Sequence, residues 1–419
     1  MNERLVRFFK TFGPGILFAS TAIGVSHLVQ STRAGAEYGF LLLGFVILAI
    51  LLKYPFFEYS SRYANVTGTS IIDGYNRLGK PVLILYLLIT IASMFFVTAA
   101  VGFVTSGFLE NLFQIDFLGI WPMVILFGIC TGILGIGKYR TLDGLIKIIG
   151  TVLVASTVLA FVLALMNGPV EKIDGFEPPE IWDQAGIFFL IALMGWMPMP
   201  IDISSWHSLW TIERFKQTHF KPTLKETLLD FNLGYIVTGI IAIFFITLGA
   251  YIFFGTGQEL PNNNSLFAHK VVTLFTETIG HWSYLIIAAS AFSVMFGTII
   301  AVFDGYSRSI ERVTQLLRKK TDNPKKIKFE RTYELSIFSL ATGSLIVVYL
   351  FENNLKELIN FATAISFLIA PIIAIFNFRL VTGKYFVKDA QPPIWLKILS
   401  YIGIIFLIGF AALFIITRF

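Results

Sequence analysis

Two hydrophobic segments of the sequence carry helix-breaking and ionisable residues near their centres. The first contains Gly24-Val25-Ser26-His27, and the second contains Met197-Pro198-Met199-Pro200-Ile201-Asp202. An ionisable side chain at the centre of a membrane helix costs at least about 2.5 kcal/mol, so His27 and Asp202 are candidates for a functional site. Buried groups of this kind bind ions or relay protons, and histidine titrates near neutral pH. The two segments therefore predict a polar site inside the membrane.

The sequence of the second segment opposes one continuous helix. Pro198 and Pro200 lack backbone N–H groups, and their rings clash with the preceding turn. Carbonyl groups freed at membrane depth are tolerated only where protein or a water-filled cavity covers them. The alternative is a kink whose polar groups satisfy one another, in which His27 is a plug hydrogen-bonded to Asp202.

Membrane-spanning helices must position these residues. Of the 419 residues, 56% are hydrophobic and 14% are charged, whereas soluble proteins carry roughly a quarter charged residues. The apolar residues fall into eleven blocks of about the length that crosses a bilayer, at approximately 12–31, 39–59, 81–109, 117–136, 145–166, 186–206, 231–254, 282–303, 335–351, 358–381 and 394–417. Lys53 and Glu58 fall near the end of the second block, where we expect them to extend to the membrane surface. The sequence predicts one all-α integral membrane domain over residues 1–419.

The charged residues between the blocks predict the orientation of the chain. Basic residues recur on one side, at Arg4, Arg7 and Lys10, then Arg62, Arg77 and Lys80, Lys138, Arg140 and Lys147, Arg214, Lys216, Lys221 and Lys225, and 318–328. The opposite loops are acidic or neutral, as in 171–183. Because cytoplasmic loops are enriched in Lys and Arg, we expect a multi-pass cell-membrane protein with a cytoplasmic amino terminus and an external carboxyl terminus.

Composition and motifs exclude several other classes. The formal charge of +6 arises in these short loops, so we expect the lipid bilayer as a partner and no nucleic acid. The single cysteine, Cys130, cannot form an intrachain disulfide or a multi-thiolate metal site. The sequence has no P-loop motif of a primary pump and no His-Glu-x-x-His motif of an enzyme. We expect no enzyme activity and no cofactor.

The two broken segments are the first and the sixth of the eleven blocks. Units of five spans have opposite orientations in the membrane, and interrupted helices at matching places in inverted repeats indicate a substrate site near the bilayer midplane. We therefore expect one repeat at about 12–166, a second at about 186–381, and an extra span at 394–417. This arrangement is typical of secondary transporters.

Three motifs of the sequence can be compared with a known family. They are Gly13-Pro14-Gly15, the stretch from Arg33 to Phe40, and Met199-Pro200 with the later His207-Ser208. They resemble the NRAMP (natural resistance-associated macrophage protein) family of divalent-metal transporters. The resemblance implies the LeuT-type fold, a 5+5 inverted repeat with discontinuous spans 1 and 6. It also makes His207, together with Asp202, a candidate for a proton path, whereas the alternative places His207 at a cytoplasmic helix end.

The chain departs from the family where the family binds its metal. The Asp-Pro-Gly-Asn motif, whose Asp and Asn coordinate the ion, is matched by Gly24-Val25-Ser26-His27. Met199 matches the family's metal-binding methionine, while the histidine that follows is matched by Ile201 or, after a shift of one residue, by Asp202. A replacement set of imidazole, carboxylate and thioether from His27, Asp202 and Met199 suits a first-row metal. The expected substrate site is therefore Gly24, Ser26, His27, Met199 and Asp202.

These observations leave two main hypotheses for the function. The first is a secondary transporter of a divalent metal, such as Mn²⁺, Fe²⁺ or Mg²⁺, coupled to protons through an altered site. The alternative is a related carrier that has lost metal transport and moves another small solute. A channel is a third class, but such proteins present rings of like charge or filter carbonyls, and no such repeat occurs in the sequence.

Overall fold

The structure is a computed structural model that describes residues 11, 13–115, 119–136, 139–258, 260–318, 330–351 and 354–418. Several basic residues that support the predicted orientation lie outside these ranges, namely Arg4, Arg7, Lys10, Lys138 and those at 319–328. The side chains of Arg140 and Lys147 are likewise outside the described part. Within the described ranges the regular structure is helical throughout, as the sequence predicts.

Fifteen α-helices make up the described chain. They are α1 Pro14–Ala22, α2 Thr32–Tyr38, α3 Leu43–Thr67, α4 Ile71–Leu78, α5 Lys80–Phe113, α6 Trp121–Gly135, α7 Tyr139–Asn167, α8 Gln184–Trp196, α9 Ser204–Thr218, α10 Leu224–Ile252, α11 Asn264–Ile279, α12 Tyr284–Arg318, α13 Glu330–Leu350, α14 Leu355–Thr382 and α15 Ile394–Arg418. A π-helical turn, Ser26–Ser31, precedes α2, and a 3-10 turn, Ile201–Ile203, precedes α9.

The helices match the predicted membrane spans. Among the described residues, eight helical segments are long and apolar enough to cross a membrane, and one of them is the broken segment Gln184–Thr218. Two shorter apolar helices, Trp121–Gly135 and Val154–Asn167, lie at the fourth and fifth predicted spans. The broken first segment lies at the remaining position, so the arrangement is compatible with eleven spans.

Helix ends and two short helices differ from the sequence prediction. The helix α3 continues to Thr67 rather than residue 59, and α12 continues to Arg318 rather than residue 303. Hydropathy falls at these polar ends although the helical hydrogen bonds continue. The prediction also missed α4 and α11, which are too short or too polar to appear as spans; a capping box at Ser70 and Asp73 starts α4.

The first broken segment is interrupted at Ile23 and Gly24. The helix α1 ends at Ala22, and Ile23 has a ψ of 67°, which lies outside the helical region. The N–H of Gly24 donates to the Ala22 carbonyl at 2.8 Å, and that of Leu28 donates to the Gly24 carbonyl at 2.9 Å. The chain therefore leaves helical geometry for two residues and resumes as the π-helical turn.

The second broken segment is interrupted where the two prolines predict it. The helix α8 ends at Trp196, and the backbone is extended at Met197 and Pro200 before the 3-10 turn begins. Because Pro198 has no N–H, it cannot pair with the Met194 carbonyl as an α-helix requires. The break thus leaves carbonyl groups at the end of α8 that need other partners.

Glycines let both halves of the first segment pack closely on α10. A Cβ on Gly15 would overlap the backbone of Asp230, and one on Gly35 would overlap the carbonyl of Ile246. Small residues at such contacts allow membrane helices to approach closely. The N–H groups of Gly13 and Gly15 also donate to the Asp230 carboxylate, at 3.2 and 2.7 Å. The start of the first segment is thereby fixed to α10.

Candidate functional site

A small buried cavity lies between the two breaks. Its walls come from the first break, the second break, α5 and α12, and among the residues that line it the polar side chains are those of Thr21, Ser26 and Thr298. No charged side chain of the described chain lines it. Its volume of about 30 Å³ holds one or two water molecules. The cavity is therefore mostly apolar, with hydroxyl groups as its polar contacts.

His27 is fully buried and faces away from Asp202. Its Nε2 lies 2.9 Å from the carbonyl oxygen of Thr238 and donates to it, since a carbonyl only accepts. Its Nδ1 is hydrogen-bonded to the hydroxyl of Ser26 at 2.8 Å. Both ring nitrogens are thus occupied, and the predicted hydrogen bond between His27 and Asp202 is wrong. The imidazole instead joins the first break to α10.

Asp202 lies in the 3-10 turn after the second break and does not line the cavity. Its side chain is buried, and Oδ1 has no hydrogen-bond partner. Burying an unpaired carboxylate is costly, so it is stabilised by protonation or by a positive charge. Lys53 is a basic group that interacts electrostatically with Asp202.

Lys53 is fully buried, and its ammonium group contacts the broken end of α8. Nζ donates to the carbonyl oxygens of Met194, Gly195 and Met197 at 3.0, 2.9 and 2.8 Å. The expectation that Lys53 extends to the membrane surface is therefore wrong. That expectation ended the second span at residue 59, whereas α3 continues to Thr67 and places Lys53 near the middle of the helix.

Gly24 lies at the first break and Met199 lies at the second break. Met199 is 2% exposed and lines the cavity with its thioether side chain. Gly24 is packed so closely that a Cβ would lie 2.9 Å from side-chain atoms of Thr298. An aspartate at the position that matches the metal-binding aspartate of the NRAMP motif would therefore require Thr298 or the first break to shift.

The three predicted metal ligands have different partners in the structure. Met199 lines the cavity with Ser26, His27 bonds to Thr238, and Asp202 interacts electrostatically with Lys53. Within the described ranges, no three histidine, cysteine, aspartate or glutamate residues are grouped in a way that could hold a metal ion. A metal set of His27, Asp202 and Met199 stays a prediction.

His207 lies in α9 and is 1% exposed. Its ring packs against Phe18 and Phe231, each with a centroid distance of 5.6 Å, and Nδ1 has no hydrogen-bond partner. His207 lies in the first turn of α9 next to the second break, whereas the alternative places it at the cytoplasmic end of the helix. A role for His207 in a proton path stays a prediction.

Polar side chains that the sequence analysis missed surround the start of α9. The hydroxyl of Tyr86 donates to Ser205 at 2.7 Å, and that of Tyr75 donates to Asn377 at 2.6 Å. The Asn377 amide in turn donates to Ser204 at 2.9 Å. These tyrosines belong to separate helices, so their convergence could not be derived from local sequence.

A second polar cluster joins α2 to α14. The Arg33 guanidinium donates to Asn360 at 3.1 Å and to Gln30 at 3.2 Å, and it also pairs with Glu37 at 3.2 Å. The same guanidinium lies 4.8 Å from the ring centroid of Phe189 in α8. Both broken segments are thereby connected to α14 beyond the cavity.

The two broken segments around one cavity define a membrane transporter of the LeuT type. The fold is similar to that of a mutant form of a manganese transporter from Eremococcus coleocola, with a TM-score of 0.68 and 14% identity over 96% of this chain and 85% of that chain. The chain belongs to the natural resistance-associated macrophage protein-like (Nramp) family, whose model matches residues 15–417. The family consists of transporters and not of enzymes.

Two relatives show how far the sequence similarity extends. An uncharacterised protein of Pasteurella multocida is 36% identical over 414 residues, which cover 97% of this chain and 92% of that protein. The divalent metal cation transporter MntH of Levilactobacillus brevis is 22% identical over 422 residues, covering 96% and 86% of the two chains.

Proposed function

We propose that this protein is a secondary transporter that moves a small solute through the cavity between its two broken segments. The observation that carries the proposal is that both breaks wall the same buried cavity. Discontinuous helices at a repeat interface form the substrate site in transporters of this architecture. The expected repeats at 12–166 and 186–381, with the extra span at 394–417, are part of the proposal.

The relatives favour a divalent metal as the solute. The MntH relative and the structural neighbour are a divalent metal cation transporter and a manganese transporter by name. Met199 and Ser26 line the cavity, and Asp202 has an unpaired oxygen close to the break. A metal-binding state would have to turn Asp202 towards Met199 and release His27 from Thr238.

The geometry of the site favours a solute other than a free divalent cation. Mn²⁺ and Mg²⁺ require carboxylate, carbonyl or water oxygens as ligands, and no carboxylate lines the cavity in the described chain. Lys53 places a positive charge on the carbonyl groups of the second break, where a cation would otherwise find oxygen ligands. We therefore infer that the protein transports a small, uncharged or amphipathic solute.

Metal flux into proteoliposomes tests this inference. The purified protein and, in parallel, the MntH relative are reconstituted with a metal-sensitive dye inside the vesicles. We expect Mn²⁺ to enter vesicles containing the relative, whereas Mn²⁺, Fe²⁺, Mg²⁺ and Cd²⁺ should enter vesicles containing this protein no faster than empty vesicles. Saturable Mn²⁺ entry that is lost in Met199→Ala would establish metal as the solute.

A solute search tests the transporter function itself. Small uncharged and amphipathic compounds are screened for those that raise the melting temperature of the protein, because a ligand that binds the native state stabilises it. We expect the stabilising compounds to lose their effect when the cavity is filled by Ser26→Phe, while the exposed control Lys388→Ala keeps it. Uptake of a stabilising compound into vesicles would then measure transport directly.

A further inference from the structure

Three carbonyl groups at the end of α8 converge on the ammonium group of Lys53. Met194 and Gly195 are among the last residues of the helix, and Met197 lies just beyond its end. The carbonyl end of a helix carries a partial negative charge. Carbonyl oxygens from broken helices bind the coupling ion in secondary transporters, and rings of carbonyls replace the hydration shell of K⁺ in channels.

In this chain the ammonium group of Lys53 occupies the centre of the carbonyl cluster. Nζ of Lys53 lies 2.8–3.0 Å from all three oxygens. Three acceptors require three donors, and only the protonated ammonium group has three N–H bonds. Lys53 therefore contacts the cluster as a cation rather than as a neutral amine.

The acidic residue that interacts electrostatically with Lys53 is Asp202. Its Oδ1 is buried without a hydrogen-bond partner. The three carbonyls thus offer a cation three oxygens, and Asp202 adds a negative charge that acts on the site from beyond them.

We infer that Lys53 is a tethered cation that occupies a monovalent-cation site, so that the native protein binds no Na⁺ or K⁺ there. Removing the side chain should open the site to a free cation of similar size. The inference concerns binding and does not depend on whether the proposed solute is transported.

The test compares Lys53→Ala with Lys53→Met. Alanine leaves the space of the side chain empty, whereas methionine fills most of it without a charge. Each protein is purified in N-methylglucamine chloride, because the N-methylglucamine cation is too large for the site. Its melting temperature is then followed as NH₄⁺, K⁺ or Na⁺ replaces N-methylglucamine at constant ionic strength.

We expect a saturable rise in the melting temperature of Lys53→Ala with at least one of the three small cations. The wild type, Lys53→Met and the exposed control Lys388→Ala should show no such rise. Adding Asp202→Asn to Lys53→Ala should weaken the apparent cation affinity, because the negative charge that acts electrostatically on this site is then lost.

Two results would overturn the inference. One is a wild-type protein that Na⁺ or K⁺ stabilises as strongly as it stabilises Lys53→Ala. The other is a Lys53→Ala protein that gives no response to any of the cations, or that cannot be purified in any of these salts, since the lysine would then be needed for folding alone. Neither result bears on solute uptake, which separates this inference from the proposed function.

Discussion

The imidazole of His27 donates a hydrogen bond to the backbone carbonyl of Thr238 at 2.9 Å, across 211 positions of the sequence. Thr238 lies within α10, so its carbonyl also accepts the N–H of Ala242, and His27 adds a second donor from a side chain. The bond connects the first break to the middle of α10. It makes His27 a part of the scaffold around the cavity rather than a group that faces the solute.

Replacing His27 by leucine should therefore lower stability without changing any response to metal. The substitution removes one buried hydrogen bond, whose net contribution to stability is about 0.5–1.5 kcal/mol, while the Thr238 carbonyl keeps the N–H of Ala242 in α10 as a donor. We expect a lower melting temperature for His27→Leu in detergent, and little change for the exposed control His281→Leu. If His27 were a metal ligand, Mn²⁺ would stabilise the wild type and the His27→Leu variant would lose that stabilisation.

The contact between Arg33 and Asn360 should restrict access to the cavity. Arg33→Ala removes the donors that hold α2 to α14 at 3.1 Å, and we expect the cavity to become more accessible to water from that side. The measurement is the rate of maleimide labelling of Ser26→Cys, in a protein whose only native cysteine is removed by Cys130→Ala.

The labelling rate should rise in Arg33→Ala and stay low in Glu37→Ala. Glu37 contacts Arg33 on the same helix turn, so its loss does not separate α2 from α14. Equal rates with and without Arg33 would show that this cluster does not close the cavity.

The sequence predicted the places of the two breaks but not the partners of the residues within them. Pro198 and Pro200 cannot continue a helix, and Gly24 lies in a polar run, so local chemistry is enough to locate both interruptions. The direction of a side chain depends on the rotation of its helix against neighbours far away in sequence. For this reason the sequence leaves open a hydrogen bond between His27 and Asp202, whereas His27 bonds to Thr238 and Asp202 interacts electrostatically with Lys53.

Lys53 shows that hydropathy alone also fails to locate the end of a helix. Hydropathy alone ends the second span where polar residues begin, and this places Lys53 close to the surface. The helix continues through residues that are buried by other parts of the protein, such as Glu58 and Arg62, which form an ion pair. The long apolar run before Lys53, with Tyr54–Phe57 directly after it, is the signal in the sequence for an internal partner.

Fusions to the two chain ends test the proposed orientation. A green fluorescent protein joined to the amino terminus should be fluorescent in bacterial cells, because it folds in the cytoplasm. Alkaline phosphatase joined to the carboxyl terminus should be active, because it requires the oxidising exterior. The reverse pair of fusions is the control, and activity of the reverse pair would place the basic loops outside.

Gly24→Asp restores the acidic residue of the NRAMP motif, but the structure predicts that this change alone will fail. The new Cβ would lie 2.9 Å from the Thr298 methyl and hydroxyl groups, so either the first break or α12 must move. Overpacking of a buried site costs typically about 1–3 kcal/mol. We expect a lower melting temperature for Gly24→Asp and no Mn²⁺ binding by calorimetry.

Thr298→Ala should relieve part of this strain because it removes both of the closest atoms. The two substitutions should therefore be non-additive, with Gly24→Asp/Thr298→Ala more stable than the sum of the single changes by about 0.5–3 kcal/mol. A Thr298→Ser variant, which keeps the hydroxyl, is the matched control and should relieve less. If Gly24→Asp alone is as stable as the wild type and binds Mn²⁺, the packing at Thr298 does not exclude the metal and the site is closer to the family pattern than its geometry indicates.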